Sequence, residues 1–188
     1  MKKIALALAA VAGCLLSTAG HAAGYVGGNV GAGHIEADCS GTESCKNSTT
    51  SYKLVGGYEL TNNLYAELGY IDFGKARATV NVLGQSVKTT ARASGLMLGL
   101  AYQVPFGENW FGNVRLGAVN MDAKISASAG GVSSSDSDTN VKAYFGLGVG
   151  YAFNKNWKIV GDADFSRAEY QDDDASVRSL SVGVRYDF

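Results

Sequence analysis

Apolar and polar side chains alternate with a period of two in eight short segments of this chain, and only an extended strand turns that period into one apolar and one polar face. The last segment is the plainest: Leu180, Val182, Val184, Tyr186 and Phe188 share one face, with Ser179, Ser181, Gly183, Arg185 and Asp187 on the other. The sixth sets Val141, Ala143, Phe145, Leu147, Val149, Tyr151 and Phe153 against Lys142, Tyr144, Gly146, Gly148, Gly150 and Ala152. The second sets Tyr52, Leu54, Tyr58 and Leu60 against Lys53, Val55, Gly57 and Glu59. The third opposes Leu64, Ala66, Leu68 and Tyr70 to Glu67 and Gly69, and the seventh opposes Trp157, Ile159, Ala163 and Phe165 to Lys158, Asp162, Asp164 and Ser166. Segments one, four and five carry Val26, Val30 and Ala32, then Leu96, Leu98, Leu100 and Tyr102, then Val114, Leu116 and Ala118. In the fourth the phase slips near Ser94 and Gly95, where Ala91 and Ala93 hand over to Leu96, and this predicts a β-bulge.

The connections alternate in length. Turns at 61–63, 107–109 and 154–156 are short, whereas polar stretches around 36–50, 130–140 and 171–176 are long, and 83–86 caps a hairpin that outlasts a bilayer. Short turns therefore collect at one end and long loops at the other, as in bacterial outer-membrane barrels, which have short periplasmic turns, longer external loops and an even strand number.

Met1-Lys2-Lys3, the apolar run from Ile4 to Leu16 and the small residues from Ser17 to Ala23 have the layout of a secretory signal peptide. Cleavage after Ala22, or one residue to either side, makes 1–22 the signal and 23–188 the folded domain. Val11-Ala12-Gly13-Cys14 resembles a lipobox, but Leu15 and Leu16 continue the apolar run, so Cys14 reads as a residue of the signal core. Removing Lys2 and Lys3 leaves 14 basic against 17 acidic residues, a formal charge of −3, which argues against nucleic acid as a partner. After the signal there is no run of ~18 apolar residues, so a membrane span has to be built from strands. Cys39 and Cys45, the mature cysteines, read as a disulfide stapling a surface loop in an oxidising compartment. His34 alone could join them, which falls short of four zinc ligands, so neither metal nor cofactor is expected.

Alternation by itself does not separate a membrane barrel from a soluble one turned inside out. Three further observations favour the membrane form. The polar face is rich in glycine (Gly57, Gly69, Gly99, Gly117, Gly146, Gly148, Gly150 and Gly183), which suits a narrow eight-stranded interior. The same face carries Lys53, Glu59, Glu67, Arg115, Lys142, Lys158, Asp162, Asp164 and Arg185, charges of both signs that can pair in a lumen. Aromatic residues gather beside the short turns, at Tyr58, Tyr65, Phe106, Trp110, Phe153, Trp157, Tyr186 and Phe188, where a membrane-interface girdle belongs. The reading is an all-β, eight-stranded, antiparallel, up-and-down transmembrane barrel in the outer membrane, with both mature ends periplasmic.

Gly56-Gly57-Tyr58-Glu59, Tyr65-Ala66-Glu67-Leu68-Gly69-Tyr70, Arg115-Leu116-Gly117 and the stretch from Leu180 to Phe188 together resemble the OmpA-like transmembrane domain and its small eight-stranded relatives, over the whole mature chain. The resemblance implies that Phe188 serves as the signal read by the outer-membrane assembly machinery, with periplasmic chaperones as passing partners. It also implies that Glu67 is an interior glutamate paired with a lumenal base, for which Arg115, Lys142 and Arg185 all qualify. The chain stops at the barrel, so the wall-tethering role of full-length relatives is not expected.

Three function classes follow. The first is a structural and display barrel, embedded in outer-membrane lipid and lipopolysaccharide, with a closed lumen and with loops (Asp136, Asp138, 172–174, 39–45) offered to an extracellular ligand. The second is a narrow gated channel for ions or small solutes. The third is a lipid-modifying enzyme, which would need a nucleophile, a histidine base and an orienting acid. His34 has no such company in the sequence, so no enzyme is expected. Gly28, Gly31 and Gly33 loosely mimic a phosphate loop without a following helix. The aspartates at 172–174 read as a solvated acidic loop.

Overall fold

The computed structural model of the chain describes residues 24–36, 44–46, 48–82, 85–129, 132–170 and 173–188. Within them lie β1 (Gly24–Ile35), a short β2 (Ser44–Lys46), β3 (Ser48–Thr61), β4 (Leu64–Val82), β5 (Gln85–Pro105), β6 (Trp110–Ala129), β7 (Val132–Ala152), β8 (Trp157–Tyr170) and β9 (Asp173–Asp187). Each long strand pairs antiparallel with its neighbours in sequence, and β1 pairs with both β3 and β9, so eight strands close into a ring. The short β2 adds to the outer part of β4.

Three turns define one end of the barrel. Asn63 turns the β3–β4 hairpin at φ 66, a conformation asparagine tolerates, and the Asn154 side chain accepts the backbone N–H groups of Asn156 and Trp157 at 2.9 and 2.8 Å. Each turn is stitched to the next hairpin, through Gln103 N–H to Asn63 O, Ala152 N–H to Asn109 O and Asp187 N–H to Asn156 O, all at 2.8 Å. Phe188 N–H donates to Gly24 O at 2.9 Å, which closes the seam between the first and last strands.

At the opposite end the wall is uneven. The strands β4 to β7 run 19 to 21 residues, whereas β1, β3, β8 and β9 run 12 to 15. A bilayer needs ~9–11 residues per tilted strand, so β4 to β7 outlast it. The stretch 130–140 is not the loop its polarity suggested: from Val132 it is strand, paired with β6 up to Ala129↔Val132. In the same way, 48–50 belongs to β3 and 173–176 to β9. Ser, Thr, Asp and Asn fill both faces of an emergent hairpin because both faces are wet, so polarity alone mimicked a loop. The tall and short walls part above Tyr52↔Asp72 on one side and above Phe145↔Phe165 on the other, where the β3–β4 and β7–β8 ladders end.

The bulge lies on β4, not on β5. Phe73 is the extra residue between the pairs Asp72↔Ser94 and Gly74↔Ala93, while β5 stays in unbroken register with β6. Ala91 and Ala93 point inward and Leu96 outward, so what looked like a slip of phase is the apolar face changing sides as the strand leaves the outer apolar belt.

Candidate functional site: a filled lumen

Inward-facing side chains stack in three storeys. Nearest the short turns, Tyr25 and Tyr65 meet edge to face at 5.3 Å. The Arg185 guanidinium lies 3.5 Å from the Tyr25 ring centroid and 5.2 Å from that of Tyr65, a desolvated cation on aromatic faces. Asp187 takes Arg185 at 2.6 Å and Lys158 at 2.7 Å. Gly57 and Gly150 are where they are because the rings of Tyr25 and Phe111 occupy the space a side chain would fill.

The middle storey is an ion cluster on four walls. Lys53 on β3 holds Asp164 at 2.8 Å and Asp162 at 2.9 Å, both on β8. Arg115 on β6 holds Asp162 at 2.8 Å and Glu67 on β4 at 3.1 Å. Asn29 donates to Asp162 at 3.0 Å, Ser179 to Asp164 at 3.4 Å, Tyr25 to Glu67 and Tyr144 to Asp164. Glu67 is 1 % exposed and Asp164 0 %. Counting both storeys, Lys53, Arg115, Lys158 and Arg185 face Glu67, Asp162, Asp164 and Asp187, four charges against four. Buried charges persist only when paired and hydrogen-bonded. The side chain of Asn113 and the hydroxyls of Ser51 and Ser181 are buried beside this cluster without a protein partner.

Toward the tall end the interior turns apolar. Ile35, Ile71, Phe73, Met97, Val119, Met121 and Val177 form a lid over the ions. The bulge builds it: β4 dips inward, Gly74 takes φ 94, and the Phe73 carbonyl sits where a side chain on Gly33 would be. The alternating pattern assigns none of these seven residues to a face, so this lid is not legible in the sequence.

Glu67 meets Arg115, which resolves the three-way choice left by the sequence. Other residues expected in one lumenal network lie apart from it. Lys142 pairs with Glu169 near the tall end, and Lys158 belongs to the lowest storey. Glu59 accepts the Asn63 N–H at 3.3 Å in the β3–β4 turn.

Tyr58, Phe106, Trp110, Phe153 and Trp157 are exposed on the outer wall beside the short turns, and Tyr186 packs there against Trp157 and Phe188 at 5.0 and 5.5 Å. Tyr65 does not join them: it is 9 % exposed and lies inside, because an odd position on β4 shares the face of Glu67. Its tyrosine chemistry suits both an interface and a cation-lined interior, so composition misplaced what parity would have placed. A second outward set, Tyr52, Tyr70, Phe145 and Phe165, rims the tall end of the belt. Cys39, the side chain of Cys45 and residues 1–23 lie outside the described residues. So do the side chains at 172–174. Among the described residues no three metal-ligating side chains converge, and no helix is long and apolar enough to cross a membrane. His34 lies near the tall end of β1, partly exposed.

A family model described as outer membrane protein beta-barrel domain matches residues 4–188. Among solved structures, the attachment invasion locus protein Ail of Yersinia pestis is similar with a TM-score of 0.60 at 17 % identity, over 89 % of this chain and 99 % of that one. Ail has also been solved in complex with the heparin analogue sucrose octasulfate. Neisserial surface protein A gives 0.57 at 16 % identity, over 88 % and 97 %. The outer membrane protease OmpT of Escherichia coli gives 0.50 at 9 %, over 92 % and 99 %. At such identities the likeness concerns the fold. Comparison with curated protein sequences found no match.

Proposed function

The chain belongs to the outer membrane protein beta-barrel domain family, and from that premise we propose that it is a non-enzymatic display barrel of the outer membrane, closed through its centre, with its tall hairpins outside the cell. The observation that carries this reading is the filled lumen: an aromatic floor, a neutralised ion cluster and an apolar lid occupy its successive storeys. An eight-stranded ring has just enough width for its own side chains. Both strand ends beside the short turns then lie in the periplasm, residues 1–22 act as the removed export signal, and Phe188 serves as the assembly signal. The emergent β4–β7 wall, with Asp136 and Asp138 on β7, is the surface offered to an extracellular ligand.

A narrow channel is the second reading, and the partnerless Asn113, Ser51 and Ser181 side chains favour it. Planar-bilayer recording of the purified protein separates the two. The display reading expects silence from both the wild type and Glu67→Ala; discrete conductance steps that change in Glu67→Ala would replace it with the channel. Against an enzyme stands that, among the described residues, no side-chain hydrogen bond or ion pair joins His34 to an acid or to Ser48, its register partner on β3.

A further inference from the structure

Resting on the outer-membrane reading above, we propose that the outer wall of this barrel carries a binding site for one phosphorylated glycolipid of the external leaflet, with a cationic row for its phosphates and a groove for an acyl chain. On the outward face, Lys75, Arg92 and Lys124 stand side by side across three strands, as register partners Lys75↔Arg92 and Arg92↔Lys124. Adjacent strands are ~4.8 Å apart, so the three cations line up over about 10 Å. Directly below them runs the row Asp72, Ser94, Asp122, and below that Tyr70, Leu96, Asn120, where the apolar belt begins. Arg92 lies four residues from Leu96, ~13 Å along a strand and less in height once the strand tilts. That is the level of lipid headgroups, not of the water beyond them.

Arg92 is anchored by Asp72, whose carboxylate holds its guanidinium charged by raising an already high pKa. Lys75 and Lys124 are exposed and form no ion pair among the described residues. A fixed guanidinium flanked by two mobile ammonium groups suits a phosphate, which takes charge-assisted bonds from both kinds of donor.

The groove is independent of the row and leads into it. It is about 670 Å3 in volume, lies on the outer face of β9, β1, β3 and β4, and is lined by Gly28, Val30, Tyr52, Leu54, Tyr70 and Val184. Asp72, the partner of Arg92, lies at its upper end. Gly28 opens the groove, since a side chain there would press on Leu54. An apolar furrow crossing the strands of the belt beside a cationic head matches one lipid molecule: phosphate on Arg92 and its neighbours, acyl chain beside Gly28.

The test uses the processed protein reconstituted into phosphatidylcholine nanodiscs containing either bis-phosphorylated lipid A or the same glycolipid stripped of phosphate, with bound glycolipid measured by titration. Phosphorylated lipid A is expected to bind more tightly than the stripped form. A membrane-surface cation contributes about a fivefold factor in affinity, so Lys75→Ser/Lys124→Ser should weaken binding about thirtyfold. This variant spares the Arg92–Asp72 pair and hence the wall. Gly28→Phe, which fills the groove, should weaken both glycolipids. Equal affinity for the two glycolipids, or no loss in the double variant, overturns the proposal. A heparin fragment that binds the row while lipid A does not would assign it to a soluble glycan and overturn it too. Heat-modifiable gel migration and outer-membrane fractionation, run on the same preparations, report separately on the barrel reading: if they fail, the premise has failed, and if they hold while lipid A binding fails, only the lipid site has.

Discussion

Asp162 joins both cations of the central cluster, at 2.9 Å to Lys53 and 2.8 Å to Arg115, and it also accepts Asn29. Its worth lies less in net attraction than in what its loss leaves: one uncompensated positive charge in a site almost without water, with Lys53 held by Asp164 alone and Arg115 by Glu67 alone. Removing one partner of a buried pair costs ~3–5 kcal/mol, whereas an exposed pair contributes ~0–1 kcal/mol. Asp162→Ala is therefore expected to destabilise the barrel by about 4 kcal/mol in urea unfolding followed by tryptophan fluorescence. Arg178→Ala, whose partner Glu36 is 3.9 Å away with both side chains half exposed, should change it by less than about 1 kcal/mol. Comparable effects from the two substitutions would contradict a sealed interior.

Among the elements, β4 departs furthest from regular pairing. Its bulge at Phe73 turns the chain inward, adds Phe73 to the apolar cluster above the ions and separates the tall wall from β3, so one inserted residue serves both the apolar layer and the boundary. Gly74 permits this through its positive φ, and a side chain there would also lie 2.2 Å from Thr49 Cγ2. Gly74→Val should cost about 2 kcal/mol or more, from left-handed strain of ~1–2 kcal/mol plus that clash. Hydrogen exchange is expected to quicken in β4 beyond Asp72 while the amides from Leu64 to Tyr70 keep their protection. Uniform loss along the strand would mean the bulge is part of the barrel's core pairing instead of a separable lid.

For the whole molecule, the ordinary inside–outside rule is reversed along the belt and restored above it. Leu96, Leu98, Leu100, Leu116 and Leu180 are exposed while Lys53, Glu67 and Asp164 are buried, yet at the tall end Met97, Met121 and Val119 fill the interior beneath Arg92 and Lys124. Two solvents explain this, hydrocarbon around the belt and water above it. A charge facing the bilayer midplane costs ~2–4 kcal/mol for Arg or Lys. Leu98→Arg, at a position 65 % exposed, should lose that much in equilibrium unfolding from lipid bilayers, and Leu98→Phe very little. A neutral outcome for Leu98→Arg would mean that this face meets water.

Strand number, connection order and the face each strand turns outward were legible in the sequence, because period-two alternation is local, whereas connection length was not, since the polar residues 132–140 and 173–176 are strand. Parity even contained the true place of Tyr65, beside Glu67 on the inward face. Height and azimuth were not legible. That Arg115 is the base meeting Glu67, that Lys53 reaches Asp164 across 111 residues of sequence, that the bulge lies on β4 and that an apolar lid caps the ions all follow from the stagger at which the ring closes. Alternation tells a side chain which side of the wall to occupy, and only closure of the wall decides whom it meets there.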